Sequence, residues 1–318
     1  MIKPIIIAEC CQNHNGDYKV LKEMVYAAAE SGADYVKIQA IRSSELVFRD
    51  RFESGINEKT KQKCIFRPFN LENERLSKLD LTLDEEKYFV DLCKEVGIKS
   101  MVTLFSWNGL YESINLGYDA IKVASYDCAS FPFIKEIKRN WNKIFVSTGA
   151  TFNNEIKETA DILKGSEFQF LHCVTIYPTQ LEQLHLSRME KLKQYNNHIG
   201  FSDHTKPVDT NLIASKLAMS LGASCIERHF TILDENMTKD GPVSINPAQL
   251  KELCEFGQYD VSEQKKLIEK EYPLWRSSLG NPDRELTNEE LLNRDYYRGR
   301  FASKINGEIV NNWENVKN

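Results

Sequence analysis

The chain of 318 residues is 42% hydrophobic and 27% charged, an ordinary globular composition with room for one large α/β domain or two smaller ones. Its net charge of −5 gives no general electrostatic reason to expect nucleic acid or an anionic membrane as a partner. No apolar run approaches the roughly 20 residues that a membrane-spanning helix requires.

Eight short β-rich apolar runs alternate with amphipathic helical stretches along the chain. The strand runs are residues 4–10, 35–40, 100–105, 120–125, 143–148, 168–173, 198–203 and 225–230. The clearest helical stretches are residues 18–32, 83–97, 153–165 and 207–222. Regular alternation predicts parallel strands joined by right-handed crossovers, and its length fits a (β/α)8 TIM barrel over residues 1–257. A doubly wound open sheet is the alternative, but no GxGxxG follows the first strand.

Two regions fall outside this alternation. Residues 42–80 form a long, charged connection after the second strand, and a loop of that length is typically a lid or an interaction segment. Residues 258–318 lose the periodicity and form a polar, irregular C-terminal extension.

The eight cysteines are scattered and include no CxxC pair. Several lie inside apolar strand runs, which is typical of reduced, buried thiols in a cytoplasmic protein. We therefore do not expect a zinc site built on cysteines.

Polar residues stand at the C-terminal end of every predicted strand, where the active site of a (β/α)8 barrel lies. They are Glu9, Lys37, Gln39, Thr103, Lys122, Ser125, Ser147, Thr148, His172, Ser202, Asp203, His204, Glu227 and His229. Inward positions on barrel strands normally carry Val, Ile or Leu, so polar residues on all eight strands predict a functional site.

Two of these residues, Lys37 and Lys122, lie on the second and fourth strands. Two ammonium groups among small hydroxyls suit a compact dianion, such as a phosphate beside a carboxylate. Structural salt bridges to Glu9 and Glu227 are the alternative interpretation. A Schiff base formed by either lysine is a rival mechanism.

His204 and His229 end the seventh and eighth strands, which are neighbours in a barrel. Two imidazoles with open positions suit a catalytic Mn²⁺, Fe²⁺, Co²⁺ or Zn²⁺. Glu9, Asp203 and Glu227 would orient the histidines or add a ligand.

Seven segments resemble the sialic acid synthase (N-acetylneuraminate synthase) family in order and spacing, over roughly residues 4–256. They are AECCQNHNGD (8–17), GADYVKIQA (32–40), KVASYD (122–127), VSTGA (146–150), LHCVTIYPT (171–179), GFSDHT (200–205) and ERHFT (227–231). The resemblance implies an enzyme that condenses phosphoenolpyruvate with a sugar aldehyde, giving a 2-keto-3-deoxy acid and phosphate.

The resemblance also implies roles for individual residues. Phosphoenolpyruvate would be held by Lys37, Thr103, Lys122, Ser125, Ser147 and Ser202. His204 and His229 would bind the divalent metal, usually Mn²⁺, with Mg²⁺ or Co²⁺ as alternatives. Glu9 and Gln39 would lie over the metal and the substrates, and Tyr177 would contact the sugar.

The departures from the family pattern concern the acceptor sugar. Asp127 stands where the family usually has Glu, and Thr175 where it has Asn. The segment after the last strand, residues 237–247, is shorter and places Asp240 before Gly-Pro. We therefore predict that Asp127 acts in catalysis, that Thr175 and Asp240 contact the substrate, and that the acceptor differs from N-acetylmannosamine.

Residues 296–316 resemble only the opening of the small antifreeze-like domain that follows the barrel in the family. The resemblance thus implies a truncated domain, and it suggests a homodimer. We expect a flexible, solvated tail. The alternative is that Arg298 or Arg300 substitutes for the family's capping arginine.

Two other functions compete with the synthase. One is a Schiff-base lysine aldolase acting on a keto acid. The other is a non-catalytic barrel subunit that binds a sugar or a partner protein. The convergence of two lysines and two histidines favours the synthase.

Overall fold

The computed structural model describes residues 3–316 and contains a closed barrel of eight parallel strands. The strands are β1 Ile5–Cys11, β2 Tyr35–Ala40, β3 Lys99–Leu104, β4 Ala120–Val123, β5 Lys143–Ser147, β6 Glu167–His172, β7 Ile199–Asp203 and β8 Cys225–His229. Each strand pairs with the next, and β8 pairs with β1 to close the cylinder. The predicted (β/α)8 barrel is confirmed.

Helices surround the barrel and continue beyond it. They are α1 Tyr18–Glu30, α2 Arg51–Ser54, α3 Phe69–Ser77, α4 Leu83–Val96, α5 Trp107–Ser113, α6 Phe131–Asn140, α7 Asn153–Leu163, α8 Arg188–Leu192, α9 Pro207–Thr210, α10 Ile213–Ser220, α11 Pro247–Phe256, α12 Val261–Glu271 and α13 Asn288–Tyr297. A C-terminal hairpin follows, formed by β9 Ser303–Ile305 and β10 Glu308–Val310.

Local sequence signals explain where these helices begin and end. Helix α4 starts at a capping box, in which the Thr82 side chain and Glu85 satisfy each other's backbone N–H groups, and it ends at a left-handed Gly97. The predicted helix over 207–222 is wrong in its middle. Asn211 and Leu212 both adopt positive φ, which separates α9 from α10.

The interior of the barrel is layered along its axis. An apolar floor at the N-terminal end consists of Ile7, Tyr35, Met101, Ala120, Phe145, Leu171 and Cys225. Because side chains alternate along a strand, the residue two positions further on also points inward. That shift leads from Ile7 to Glu9, from Tyr35 to Lys37 and from Ala120 to Lys122. A polar layer therefore lies directly above the apolar floor.

The C-terminal extension packs across the mouth of the barrel. Residues 300–302 pair antiparallel with residues 45–47 of the long second connection. Arg49 of that connection donates hydrogen bonds to the carbonyls of Asp295, Tyr296 and Arg298, at the open C-terminal end of α13. Tyr296 and Phe301 are buried. The expectation of a solvated tail is therefore wrong for these residues.

All eight cysteines are buried and free, which confirms that part of the interpretation. Within residues 3–316, none of the helices has the length and hydrophobicity needed to cross a bilayer.

Candidate active site

A cavity of about 410 Å³ opens at the C-terminal ends of the strands. Most of the predicted site residues line it. They are Glu9, Lys37, Gln39, Thr103, Lys122, Ser125, Ser147, Tyr177, Ser202, His204, Glu227, His229 and Asp240. The barrel register accounts for this convergence, because Glu9 lies opposite both Lys37 and His229 across neighbouring strands.

Four charged groups form the deepest part of the cavity. Lys37 Nζ contacts a carboxylate oxygen of Glu9 and lies 3.7 Å from Glu227 Oε2. Lys122 Nζ lies 3.2 Å from Glu227 Oε1. Burial lowers the pKa of Lys37 to about 7. Burial alone would raise the pKa of Glu227, but the ammonium groups of Lys122 and Lys37 hold it well below the ordinary glutamate value.

Small hydroxyls complete the surroundings of these charges. Lys37 Nζ donates to Thr103 Oγ1 at 2.8 Å, and Lys122 Nζ donates to Ser147 Oγ at 2.7 Å. Ser202 Oγ donates to Glu227 Oε1 at 2.8 Å. Lys37 and Lys122 are ion-paired, as the salt-bridge interpretation expects, and they also line the cavity, as the binding-site interpretation expects. Two ammonium groups and several hydroxyls form a receptor that fits a compact dianion.

The two histidines converge above this layer, with ring centroids 5.6 Å apart. His204 Nδ1 lies 2.8 Å from the carbonyl oxygen of Val174, so this nitrogen carries the proton and Nε2 keeps its lone pair. Burial, together with His229, lowers the pKa of His204 to about 4. Burial also lowers the pKa of His229. Both imidazoles are consequently neutral at pH 7, the form that binds metals.

The residues present fit the divalent metal that the sequence analysis expects. His229 Nδ1 is buried and makes no hydrogen bond to any residue between 3 and 316. One ring nitrogen of His229, the Cys11 thiol and the Asp240 carboxylate lie within 4.8 Å of one another. Cys11 and Asp240 were not predicted as ligands, since Asp240 was expected to contact the substrate and no zinc site built on cysteines was expected. His204, the second predicted ligand, does not belong to this group of three.

The outer part of the cavity carries an excess of positive charge. Glu72 of α3 lies 3.0 Å from Arg75 and 3.9 Å from both Arg67 and Lys239, and it contacts Arg300 directly. Burial alone would raise the pKa of Glu72, but Arg75 and Arg300 lower it to about 2. One carboxylate thus faces four cations, and all four cations line the cavity.

Two predicted acceptor residues lie behind the cavity wall. Asp127 is buried and accepts hydrogen bonds from Ser130 Oγ and Asn312 Nδ2. Thr175 is also buried, and its carbonyl oxygen accepts a hydrogen bond from Asn293. Neither side chain belongs to the cavity lining, so their roles stay predictions.

Other polar strand-end residues point away from the cavity. Asp203 lies 2.7 Å from Arg228 and accepts a hydrogen bond from Ser215, on the helix side of β7. His172 Nε2 lies 2.7 Å from the carbonyl of Leu184. Asp203 thus supports the barrel wall, and it does not orient the histidines.

Several lining residues were missed because they come from loops. Arg67 and Arg75 belong to the second connection, Lys239 follows β8, and Tyr297 and Arg300 come from the C-terminal extension. Arg300 was considered as a substitute for a capping arginine, and it does line the cavity, whereas Arg298 lies beside Glu155. The unusual length of the 42–80 connection was the sequence signal for Arg67 and Arg75.

Comparison with known proteins identifies the family of this chain. Residues 24–264 match the NeuB family. The chain belongs to the NeuB family. The predicted resemblance to the sialic acid synthases is therefore confirmed, and the chain is an enzyme of that family.

Named relatives of this NeuB-family chain are acid synthases. The N,N'-diacetyllegionaminic acid synthase of Campylobacter jejuni subsp. jejuni serotype O:2 is 33% identical over 261 residues, covering 80% of this chain and 75% of the relative. The N-acetylneuraminate-9-phosphate synthase of Mus musculus is 28% identical over 316 residues, covering 94% and 78%. The crystal structure of the N-acetylneuraminic acid synthetase of Leptospira borgpetersenii superposes with a TM-score of 0.66 at 26% identity, covering 92% of this chain and 91% of that one.

Proposed function

We propose that this chain condenses phosphoenolpyruvate with a sugar aldehyde, giving a nonulosonic-type 2-keto-3-deoxy acid and phosphate. The observation that carries this proposal is one cavity that holds a dianion receptor beneath two neutral histidines. Family membership supports the reaction class, since the relatives are named as synthases of legionaminic and sialic acids.

The lysines and hydroxyls would bind the phosphate and carboxylate of phosphoenolpyruvate. Lys37 Nζ and Lys122 Nζ lie 3.7 Å and 3.2 Å from Glu227, so both ammonium groups face the same part of the cavity. With Thr103 and Ser147 they would hold the dianion above the apolar floor. A divalent transition metal held by His204 and His229, with Mn²⁺ the first ion to test, would polarise the aldehyde oxygen of the acceptor.

The reaction balances with water as the second reactant. C3 of phosphoenolpyruvate bonds to the aldehyde carbon, whose oxygen takes up a proton. Water then adds to the cationic C2 and loses a proton. Glu9, the carboxylate that contacts Lys37, would accept this proton. Collapse of the tetrahedral adduct breaks the C2–O bond and releases phosphate. The ammonium groups stabilise the phosphate through this change of charge.

The acceptor is proposed to differ from N-acetylmannosamine and to carry an anionic group. Arg67, Arg75, Lys239 and Arg300 all lie within 4 Å of one carboxylate, that of Glu72, at the open end of the cavity. An anionic substituent would pair with these cations in place of water. One relative is named as a 9-phosphate synthase, which agrees with an acceptor of that charge.

Phosphate release from phosphoenolpyruvate tests both proposals in one assay. The panel contains hexosamines and other sugar aldehydes, each with and without a phosphate or carboxylate group, and every reaction has a chelator control. We expect release that depends on the acceptor, is abolished by chelator and is fastest with an anionic sugar. Equal rates for charged and neutral sugars would overturn the acceptor proposal, and absence of phosphoenolpyruvate binding would overturn the function.

The Schiff-base aldolase is kept as a second candidate on one observation. Because burial lowers the pKa of Lys37 to about 7, a fraction of this amine is unprotonated at neutral pH. Borohydride reduction with pyruvate would trap an adduct on Lys37 if the chain were an aldolase. The synthase predicts no adduct.

A further inference from the structure

We propose that Cys11 and Asp240 are metal ligands and, with His229, form a thiolate-containing site for an Fe²⁺-, Co²⁺- or Zn²⁺-like cation. This inference rests on the proposed function, because it specifies the metal that the synthase would use. Ligand atoms of the three residues lie within 4.8 Å of one another, and all three residues line the cavity.

The backbone at the end of β1 places Cys11 by an unusual conformation. Register against β2 shifts between Glu9 and Cys11, which marks a bulge, and Cys11 has a φ of +50°. A non-glycine residue at positive φ is uncommon, and strain of this kind concentrates at functional sites. The bulge also lets Glu9 Oε1 accept a hydrogen bond from Cys11 N at 2.6 Å. Cys11 therefore occupies a backbone position that glycine would adopt with less strain.

Asp240 is held in place by contacts between the segment after β1 and the loop after β8. Asn13 Nδ2 donates to Ser244 Oγ and to the carbonyl of Phe230, both at 2.9 Å. Ser244 Oγ in turn donates to the carbonyl of Asp240 at 2.7 Å. A Cβ on Gly241 would lie 2.0 Å from the Glu235 carbonyl oxygen, so the tight turn after Asp240 needs glycine.

A simple thiol–carboxylate hydrogen bond does not explain the whole group. Cys11 Sγ donates to Asp240 Oδ2 at 2.9 Å, which accounts for these two side chains. It leaves His229 Nδ1 buried and without a partner among the described residues, which is costly for a polar atom. A cation bound between the three residues would be held by the thiolate, the carboxylate and one ring nitrogen of His229.

The composition of the group sets the metal preference. Soft thiolate ligands favour Zn²⁺ and other thiophilic transition ions, whereas Mg²⁺ and Ca²⁺ prefer sites made only of oxygen. The thiolate thus moves the expected cofactor from Mn²⁺ towards Fe²⁺, Co²⁺ or Zn²⁺. It also makes the loaded site sensitive to thiol oxidation.

The test is optical titration of the full chain with Co²⁺ under anaerobic conditions, without phosphoenolpyruvate or sugar. Cobalt bound to thiolate gives an intense sulfur-to-metal charge-transfer band in the near ultraviolet, which histidine and carboxylate ligands do not produce. We expect this band in the wild type, its loss in Cys11→Gly, and a Co²⁺ affinity that falls by about tenfold to hundredfold or more. Glycine suits the positive φ of this position, so the variant is expected to fold.

The matched control is Cys10→Ala, which removes the adjacent thiol. Cys10 is buried in the apolar layer outside the barrel and does not line the cavity, so its variant should keep the band. Cobalt binding without the band, or a band that survives Cys11→Gly, would overturn the proposal. Because no substrate is present, a chain that shows the band but releases no phosphate with any acceptor contradicts the proposed function alone.

Discussion

The inner and outer halves of the cavity are built in different ways. The inner half consists of inward side chains on the barrel strands, such as Lys37 on β2, Lys122 on β4 and Glu227 on β8. The outer half is assembled from the 42–80 connection, the loop after β8 and the C-terminal extension. The inner half is fixed by the barrel register, which suits a substrate shared by a whole family. The outer half is supplied by connections outside the barrel strands, which suits selection of the acceptor.

Substitution of Lys122 by methionine should cause the largest loss of activity, and it should do so through the inner half of the cavity alone. Methionine keeps much of the side-chain volume, removes a charge that is proposed to hold phosphoenolpyruvate, and leaves Glu227 with a single lysine at 3.7 Å. We expect kcat/KM to fall by about a hundredfold to a thousandfold. Steady-state phosphate release measures this loss.

Lys216→Met is the matched control for burial. Lys216 is also buried and is paired with Glu252 and Glu271, but it does not line the cavity. This variant should lose stability and keep kcat/KM. Equal kinetic losses in both variants would mean that the Lys122 effect comes from misfolding.

Substitution of Arg75 by alanine should affect the outer half alone. Arg75 is one of four cations that face Glu72, and its loss removes one charged hydrogen-bond donor for the acceptor. The KM for an anionic acceptor should rise by about tenfold to a hundredfold, as expected for a hydrogen bond to a charged group. The KM for phosphoenolpyruvate should stay constant. A matching rise for a neutral sugar would show that Arg75 only supports the loop.

The strand pattern alone predicted which strand residues line the inner half of the cavity. Apolar β-rich runs located all eight strands, because alternation and length are local properties. Once a barrel was assumed, strand ends such as Lys37 and Glu227 had to converge. The direction of side chains at the very end of a strand or in the turn after it was less predictable. Asp127 and Asp203 both follow apolar runs, yet their side chains point away from the cavity, into contacts with Asn312 and Arg228.

The outer half could not be predicted, because its geometry depends on distant parts of the chain. Arg49 binds the carbonyl of Tyr296, 247 positions later, and this contact holds the 42–80 connection beside α13. Glu45 accepts a hydrogen bond from Ser303, 258 positions later. Neither pair has a sequence pattern that would reveal it.

The affinity for phosphoenolpyruvate should fall as the pH rises through neutrality. Burial lowers the pKa of Lys37 to about 7, so Lys37 is charged below that pH and becomes neutral above it. Loss of this charge removes one of two ammonium groups that attract the phosphate. Calorimetric titration between pH 6 and 8.5 should show a severalfold rise in Kd, on the order expected from one lost charged contact.

Lys37→Arg provides the control for this pH dependence. Arginine stays protonated throughout the range, so the Kd of the variant should be independent of pH even if its absolute value is higher. The same pH dependence in both proteins would assign the titration to another group.

The smallest expected effect concerns the contact between the C-terminal extension and the barrel. Asn312 Nδ2 donates to the carbonyl of Phe105 at 2.8 Å and to Asp127 at 2.9 Å. Asn312→Ala leaves the buried Asp127 with fewer donors, and the free energy of unfolding should fall by about 1–2 kcal/mol. Asn288→Ala, on the exposed first turn of α13, should change it by less than about 0.5 kcal/mol. Both values come from urea denaturation.

The kinetic consequence of Asn312→Ala tests whether the extension is part of the outer half. Asn312 lies behind the cavity wall, whereas Tyr297 and Arg300 of the same extension line the cavity. Loosening the extension should therefore raise the KM for the acceptor severalfold, about 1 kcal/mol in binding free energy, and leave the KM for phosphoenolpyruvate unchanged. If the variant lost stability with both KM values intact, the extension would stabilise the barrel without shaping the acceptor site. The two halves of the cavity would then differ in origin but not in function.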